Sequence, residues 1–218
     1  FSPVDELHIW GMLALTLQQP NPELQFAATP HFILRELGSI DPGSRRGGKS
    51  YRDFRKSIER IEVASYTNDA FYDPVRKIHD RRTFRFFSPR MPHDADSNRL
   101  WHFYWDPLFF EFCMAIGGSL KFDLQIYRSL DPASRRLFLL LHKIFYGRRK
   151  SPSFTVRELM TDVLGYSETL RNAKLEQKLR LIGARLHDAE VIRFSPSDIQ
   201  ESRSGRRIQF RPCLLYTS

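Results

Sequence analysis

The sequence predicts an α+β protein of two tandem winged-helix domains joined by a strand-containing linker region. Three observations carry that expectation. Residues 123–212 read as helix, strand, helix, helix and hairpin; residues 1–122 repeat the order more loosely; and positive charge gathers on the second unit. Of 218 residues, 41% are hydrophobic and 27% charged, an ordinary globular balance with enough apolar side chains for two small cores. Residues 1–122 hold 16 Lys and Arg against 15 Asp and Glu, and residues 123–218 hold 18 against 10, so the two parts carry +1 and +8.

The second unit, residues 123–212, is the better punctuated. Asp131 is a good N-cap, Pro132 suits the first helical position, and Leu137, Phe138, Leu141, Ile144 and Phe145 recur at helical spacing before Gly147. After Pro152, Ser153-Phe154-Thr155 reads as a short strand, and Val156 to Leu164, followed by Gly165, as a second helix. A third helix runs from Asn172 to His187 with Leu175, Leu179, Ile182 and Leu186 on one face. Val191 to Phe194 and Arg207 to Phe210 then read as the two strands of a hairpin, joined through Ser202-Arg203-Ser204-Gly205.

The first unit, residues 1–122, follows with a helix over Val4–Gln18, a strand over Leu24–Ala28 and a helix over Pro30–Leu37 closed by Gly38. A loop rich in Gly, Ser and Arg (Ser39–Gly48) leads to a third helix, capped by Ser50, with Tyr51, Phe54, Ile58 and Ile61 on one face. Strands at Val63–Thr67 and Thr83–Phe87 flank a wing-like excursion over Asp69–Arg82. The tripeptide Arg35-Glu36-Leu37 in one second helix answers Arg157-Glu158-Leu159 in the other. Between the units, Trp101, Phe103 and Trp105 alternate with His102 and Tyr104 as a strand, an apolar helical segment from Pro107 ends at Gly117-Gly118, and Leu120, Phe122 and Leu124 alternate as a further strand. This stretch reads as the joint, its aromatics as packing rather than a platform for stacked bases.

A basic unit of this kind neutralises phosphate by releasing counterions from nucleic acid. On the third helix of the second unit, Lys174, Gln177, Lys178, Leu181 and Arg185 form a stripe opposite the apolar one, the face a major groove would meet. Gln177 can pair with adenine and Lys174 reach guanine, while Lys178, Arg185 and Arg171 suit phosphate. Arg203, Arg206 and Arg207 cluster at the hairpin turn, where a wing touches phosphate or the minor groove. In the first unit Arg45, Arg46, Lys49, Arg52, Arg55, Lys56 and Arg60 face only Asp53 and Glu59, and Lys49, Arg52 and Lys56 are the contacts expected with a second DNA segment. A solvated basic surface is the bland alternative.

Chemistry on a substrate is not expected. Gly43-x-x-x-x-Gly48-Lys49-Ser50 matches the phosphate-loop pattern, but such a loop follows a buried strand, and here a helix and the Asp41-Pro42 turn precede it. The seven His residues show no metal-binding spacing, and Asp94-Ala95-Asp96 reads as a solvated loop. Tyr127 and Tyr146, the nucleophiles a nicking enzyme would need, fall at positions expected to be packed. No cofactor is implied. The richest apolar run, Leu100–Ile116, is interrupted by His102, Asp106, Pro107 and Glu111, so no membrane span is expected, and with no signal-like start the cytoplasm is the expected location. Cys113 reads as a buried free thiol.

From Ser50-Tyr51-Arg52 onward the chain resembles the replication initiator protein A family of plasmids and phages. The residues that carry the resemblance are that tripeptide, Trp105, Leu120-Lys121-Phe122-Asp123-Leu124, Tyr127-Arg128-Ser129-Leu130, Arg135-Arg136-Leu137-Phe138, Phe145-Tyr146, Leu175, Arg180 and Leu186. The resemblance implies a non-cutting initiator that binds repeated double-stranded sites at an origin and recruits host replication proteins. It also implies that the C-terminal unit binds strongly while the N-terminal unit mediates dimerisation. A winged-helix transcription regulator would share every DNA-contact argument, and a nicking enzyme or a phosphate-loop NTPase is the remaining alternative. Residues 213–218 resemble the translation of a transposase end sequence used in sequencing libraries; a non-native tail and a gene cut at both ends are expected.

Overall fold

Ser2, Pro3 and Asp5 start the first helix. The Ser2 hydroxyl accepts from the Asp5 N–H while the Asp5 carboxylate accepts from the Ser2 N–H, closing a capping box around α1 (Pro3–Leu17). The computed structural model describes residues 2–41, 48–73, 76–94, 97, 99–115, 122–203 and 205–213. It mixes 50% helix with 19% strand, an α+β fold, and divides into two compact units, Phe1–Leu124 and Gln125–Ser218.

In the first unit α1 is buried on nearly every side, as its lack of a polar face requires. β1 (Gln25–Ala28) leads to α2 (Pro30–Glu36), capped by Thr29 and ended by Gly38 at φ 67°, a left-handed position that glycine reaches without strain. α3 (Gly48–Val63) turns Tyr51, Phe54, Ile58 and Ile61 inward. β2 (Ser65–Asp73) and β3 (Ile78–Arg85) form an antiparallel hairpin with a register shift between Asn68 and Phe71, so most of the expected excursion is itself paired strand. β4 (Phe87–Arg90), β5 (Trp101–Trp105) and α4 (Pro107–Ala115) complete the unit.

The strand expected in the joint is instead the middle strand of the first unit's sheet, in the order β1-β5-β4. Alternation alone says which side chains share a face and not which strand pairs with it. Trp101, Phe103 and Trp105 point together into the core against Phe26 and Phe87, and the Trp105 indole N–H donates to the Thr16 hydroxyl of α1 at 3.1 Å. The expected strand through Leu120–Leu124 is also corrected. Leu124 opens α5 (Leu124–Ser129), while Leu120 and Gly117-Gly118 lie outside the described residues.

In the second unit Asp131 caps α6 (Pro132–Phe145), accepting from the N–H groups of Ala133 and Ser134. β6 (Phe154–Thr155) precedes α7 (Val156–Glu158), which runs into a π-helical turn over Leu159–Val163 that Gly165 closes at φ 73°. α8 (Asn172–Asp188) buries Leu175, Leu179, Ile182 and Leu186 against Leu137, Phe138 and Leu141. The expected pairing of Val191–Phe194 with Arg207–Phe210 does not occur. β7 (Ile192–Arg193) pairs with β9 (Arg211–Pro212), and β8 (Arg207–Ile208) pairs with β6. The cause is a 3-10 turn over Pro196–Asp198, closed by a Ser195–Asp198 capping box, so the hairpin flanks are Gln200 and Arg207. Tyr127 is buried as expected, but Tyr146 follows the last turn of α6 and is 67% exposed.

Candidate nucleic-acid interface

α8 divides its circumference by its sequence. Its leucine stripe is buried, and Lys174, Gln177, Leu181 and Arg185 are exposed opposite it, with Lys178 half-buried. Lys174 donates to the Gln177 side-chain carbonyl at 2.8 Å, and the Lys178 ammonium stands 5.1 Å from the Tyr166 ring centroid. Arg171 is the extended N-cap residue and supplies no side-chain cap, which leaves the first turn open to an outside acceptor. At the far end Arg185 donates to Asp131 at 2.8 Å, tying that guanidinium to the cap of α6.

The turn before β8 supplies the second basic feature. Gly205 holds φ 101°, and Arg203, two residues before it, is exposed. The other two arginines expected to meet DNA have partners within the unit. Arg206 donates to Glu176 of α8 and, at 3.2 Å, to Glu201; Arg207 donates to the Ser153 hydroxyl at 3.0 Å and its carbonyl at 2.8 Å. A cleft of about 410 Å³ lies between the starts of α7 and α8 and this turn, lined by Thr155, Arg157, Asn172, Glu176, Gly205 and Arg206 among others.

Hydrogen bonds from Arg180 first, and then from Arg206, hold the Glu176 carboxyl below its usual range against the opposing pull of burial. Glu176 falls off the basic stripe of α8, so helical spacing alone does not mark it. Its partner Arg206 is thirty residues away, and no local pattern links them. Arg157 was missed for the same reason. Its guanidinium gathers the chain between α7 and α8 by donating to Asn172, Glu168 and Leu170.

In the first unit Lys49, Arg52 and Lys56 are exposed along α3 at a spacing of one and two turns. Two other arginines of that helix are engaged: Arg55 with Glu59 and the Pro92 carbonyl, and Arg60 with the buried Asp5. Arg45, Arg46 and Gly43 of the phosphate-loop pattern lie outside the described residues. Lys49 sits in the first turn of α3, and among the described residues the element before it is helix α2 rather than a strand. Asp96 also lies outside the described residues, among which no group of three or more His, Cys, Asp or Glu is placed to hold a metal ion and no helix is long and apolar enough to cross a membrane.

The fold has solved counterparts. A selenomethionine structure of domains 2 and 3 of RctB matches with a TM-score of 0.62 at 15% identity, covering 97% of this chain and 82% of that one. A second structure of RctB domains 2–3 matches with a TM-score of 0.56 at 15% identity, covering 98% and 83%. At that identity the likeness is one of fold. No protein-family model matches the sequence, and no curated protein matches it by sequence.

Proposed function

We propose that this chain is a replication initiator that binds repeated double-stranded DNA sites at an origin and recruits host replication proteins there, without cutting DNA. The observation that carries the reading is the stripe of exposed Lys174 and Gln177 and half-buried Lys178 on α8, with an open helix start at Arg171 and the exposed Arg203 in the same unit, within residues 123–218 that hold +8 of the +9 charge. A basic helix face offering amide and ammonium donors suits a major groove, and a basic turn suits the adjoining phosphates. The helix, strand, helix, helix and hairpin order supports reading each unit as a winged helix, with α8 the recognition helix and the turn at Arg203 the wing. The resemblance to the replication initiator protein A family favours this reading over a transcription regulator, and the fold shared with RctB domains 2–3 is compatible with it.

On this account the first unit engages a second DNA segment through Lys49, Arg52 and Lys56 and also pairs two copies of the chain. The place of action is the cytoplasm. Footprinting the chain on the DNA that flanks its gene tests the proposal. Protection of direct repeats spaced by whole helical turns beside an A·T-rich tract supports initiation. Protection of a single palindrome over a promoter, or of nothing, contradicts it.

A further inference from the structure

Glu176 is the exception on α8. A carboxylate beside a DNA surface repels phosphate, yet this one is 8% exposed and held on both oxygens. Oε1 accepts from the Nη2 of Arg180 at 2.6 Å and from its Nε at 3.1 Å, while Oε2 accepts from the Nη1 of Arg206. A second guanidinium nitrogen of Arg206 reaches Glu201 at 3.2 Å. The backbone repeats the tie: the Arg206 carbonyl accepts from the Val156 N–H at 2.8 Å, and Arg207 and Gln200 exchange both of their N–H bonds at 2.9 Å. The chain leaving the hairpin turn is thereby fastened to α8 and to the start of α7, and Arg203 stands at the free end of what is fastened.

If Arg206 turned away to a phosphate, it would leave a largely buried carboxylate with one partner fewer, and that loss offsets the new contact. Resting on the DNA-binding reading above, we infer that Glu176 and Arg206 are the positioning tie of the wing. They set where the turn stands beside α8, and Arg203, rather than Arg206 or Arg207, makes the wing's phosphate contact.

The test is DNA affinity of the full chain measured across a salt series. Coulomb's law alone makes Glu176→Gln bind more tightly, because a negative charge leaves the neighbourhood of the phosphates. The tie predicts the reverse. Glu176→Gln and Arg206→Gln each bind about tenfold more weakly, a step of about 1.4 kcal/mol, and the double variant is no weaker than either. Each lowers the salt slope by about 0.9, the step for one lost phosphate, as Arg203→Ala does. In an Arg203→Ala background neither change has a further effect, which a merely structural role would not produce. Should Glu176→Gln fail to fold, Arg206→Gln alone carries the test, since that side chain is 44% exposed and its effect in the Arg203→Ala background remains decisive. Unchanged or tighter binding by Glu176→Gln, or additive losses from Arg206→Gln and Arg203→Ala, overturns the tie alone. A parent chain with no salt-dependent DNA binding overturns the function proposed above and this inference with it.

Discussion

The guanidinium Nε of Arg157 donates to the Oδ1 of Asn172 at 3.0 Å, joining α7 to the first turn of α8. Its other nitrogens donate to the Glu168 carbonyl at 3.0 Å and the Leu170 carbonyl at 3.2 Å, so one planar fork satisfies three acceptors along the intervening chain. The similar tripeptide in the first unit does not repeat the contact, since Arg35 turns to its own neighbour Glu36. A lysine cannot span three acceptors in one plane. Arg157→Lys should therefore lower stability by about 1 kcal/mol and weaken DNA binding while leaving the salt slope close to that of the parent. Urea melts and binding curves that superpose on the parent's would show the staple to be idle.

Stability should fall with acid through a buried chain of polar groups in the first unit. Ser57 gives its one proton to the Oδ1 of Asp5 at 2.6 Å, so the Nδ1 of His8, 2.7 Å away, donates to Ser57, and Arg60 donates to both Asp5 oxygens, to Oδ1 at 2.6 Å and Oδ2 at 3.2 Å. Burial lowers the His8 pKa from 6.5 to about 4, outweighing the pull of the Asp5 charge. A group whose pKa is depressed by folding contributes fully above its unfolded value, so the His8 contribution is whole above about 6.5 and lost as pH falls towards 4. Burial also pushes the Asp5 carboxyl up, but hydrogen bonds from Arg60, Ser57 and Ser2 outweigh it and hold that group well below the usual range. Asp5 therefore adds a further loss at still lower pH. Thermal midpoints taken from pH 7 to 4 should decline in the parent and decline less in His8→Phe; parallel curves would remove His8 as the cause.

Thr16 links α1 to the sheet by accepting the Trp105 indole proton and donating to the Met12 carbonyl at 2.8 Å. Thr16→Val keeps the shape and strands a buried N–H. A loss of about 1–3 kcal/mol is expected in chemical denaturation, with DNA binding by the folded fraction unchanged. A loss of binding without a loss of stability would contradict the assignment of this bond to the core.

Much of this was legible where the determinant is local. The Asp131-Pro132 start of α6, the buried leucines of α8 and the exposed stripe opposite them follow from capping and helical spacing. What escaped depends on partners far away in the chain. Trp101, Phe103 and Trp105 announce a strand, but β1, some seventy residues earlier, decides that it is the middle of a sheet rather than a joint. Arg206 and Arg207 look as available as Arg203 in the sequence, and partners such as Glu176 and Ser153, distant in the chain, distinguish them.

The central claim is that the exposed face of α8 and the tip of the neighbouring turn form one DNA-binding surface. The most direct measurement is the salt dependence of affinity for duplex DNA after Lys174, Gln177, Lys178 and Arg203 are changed together to Ala. The account predicts a loss of at least about 100-fold in affinity and a salt slope shallower by roughly 2 to 3, because up to three phosphate-neutralising cations are gone. Affinity and slope indistinguishable from the parent's, in a variant that folds normally, would contradict it.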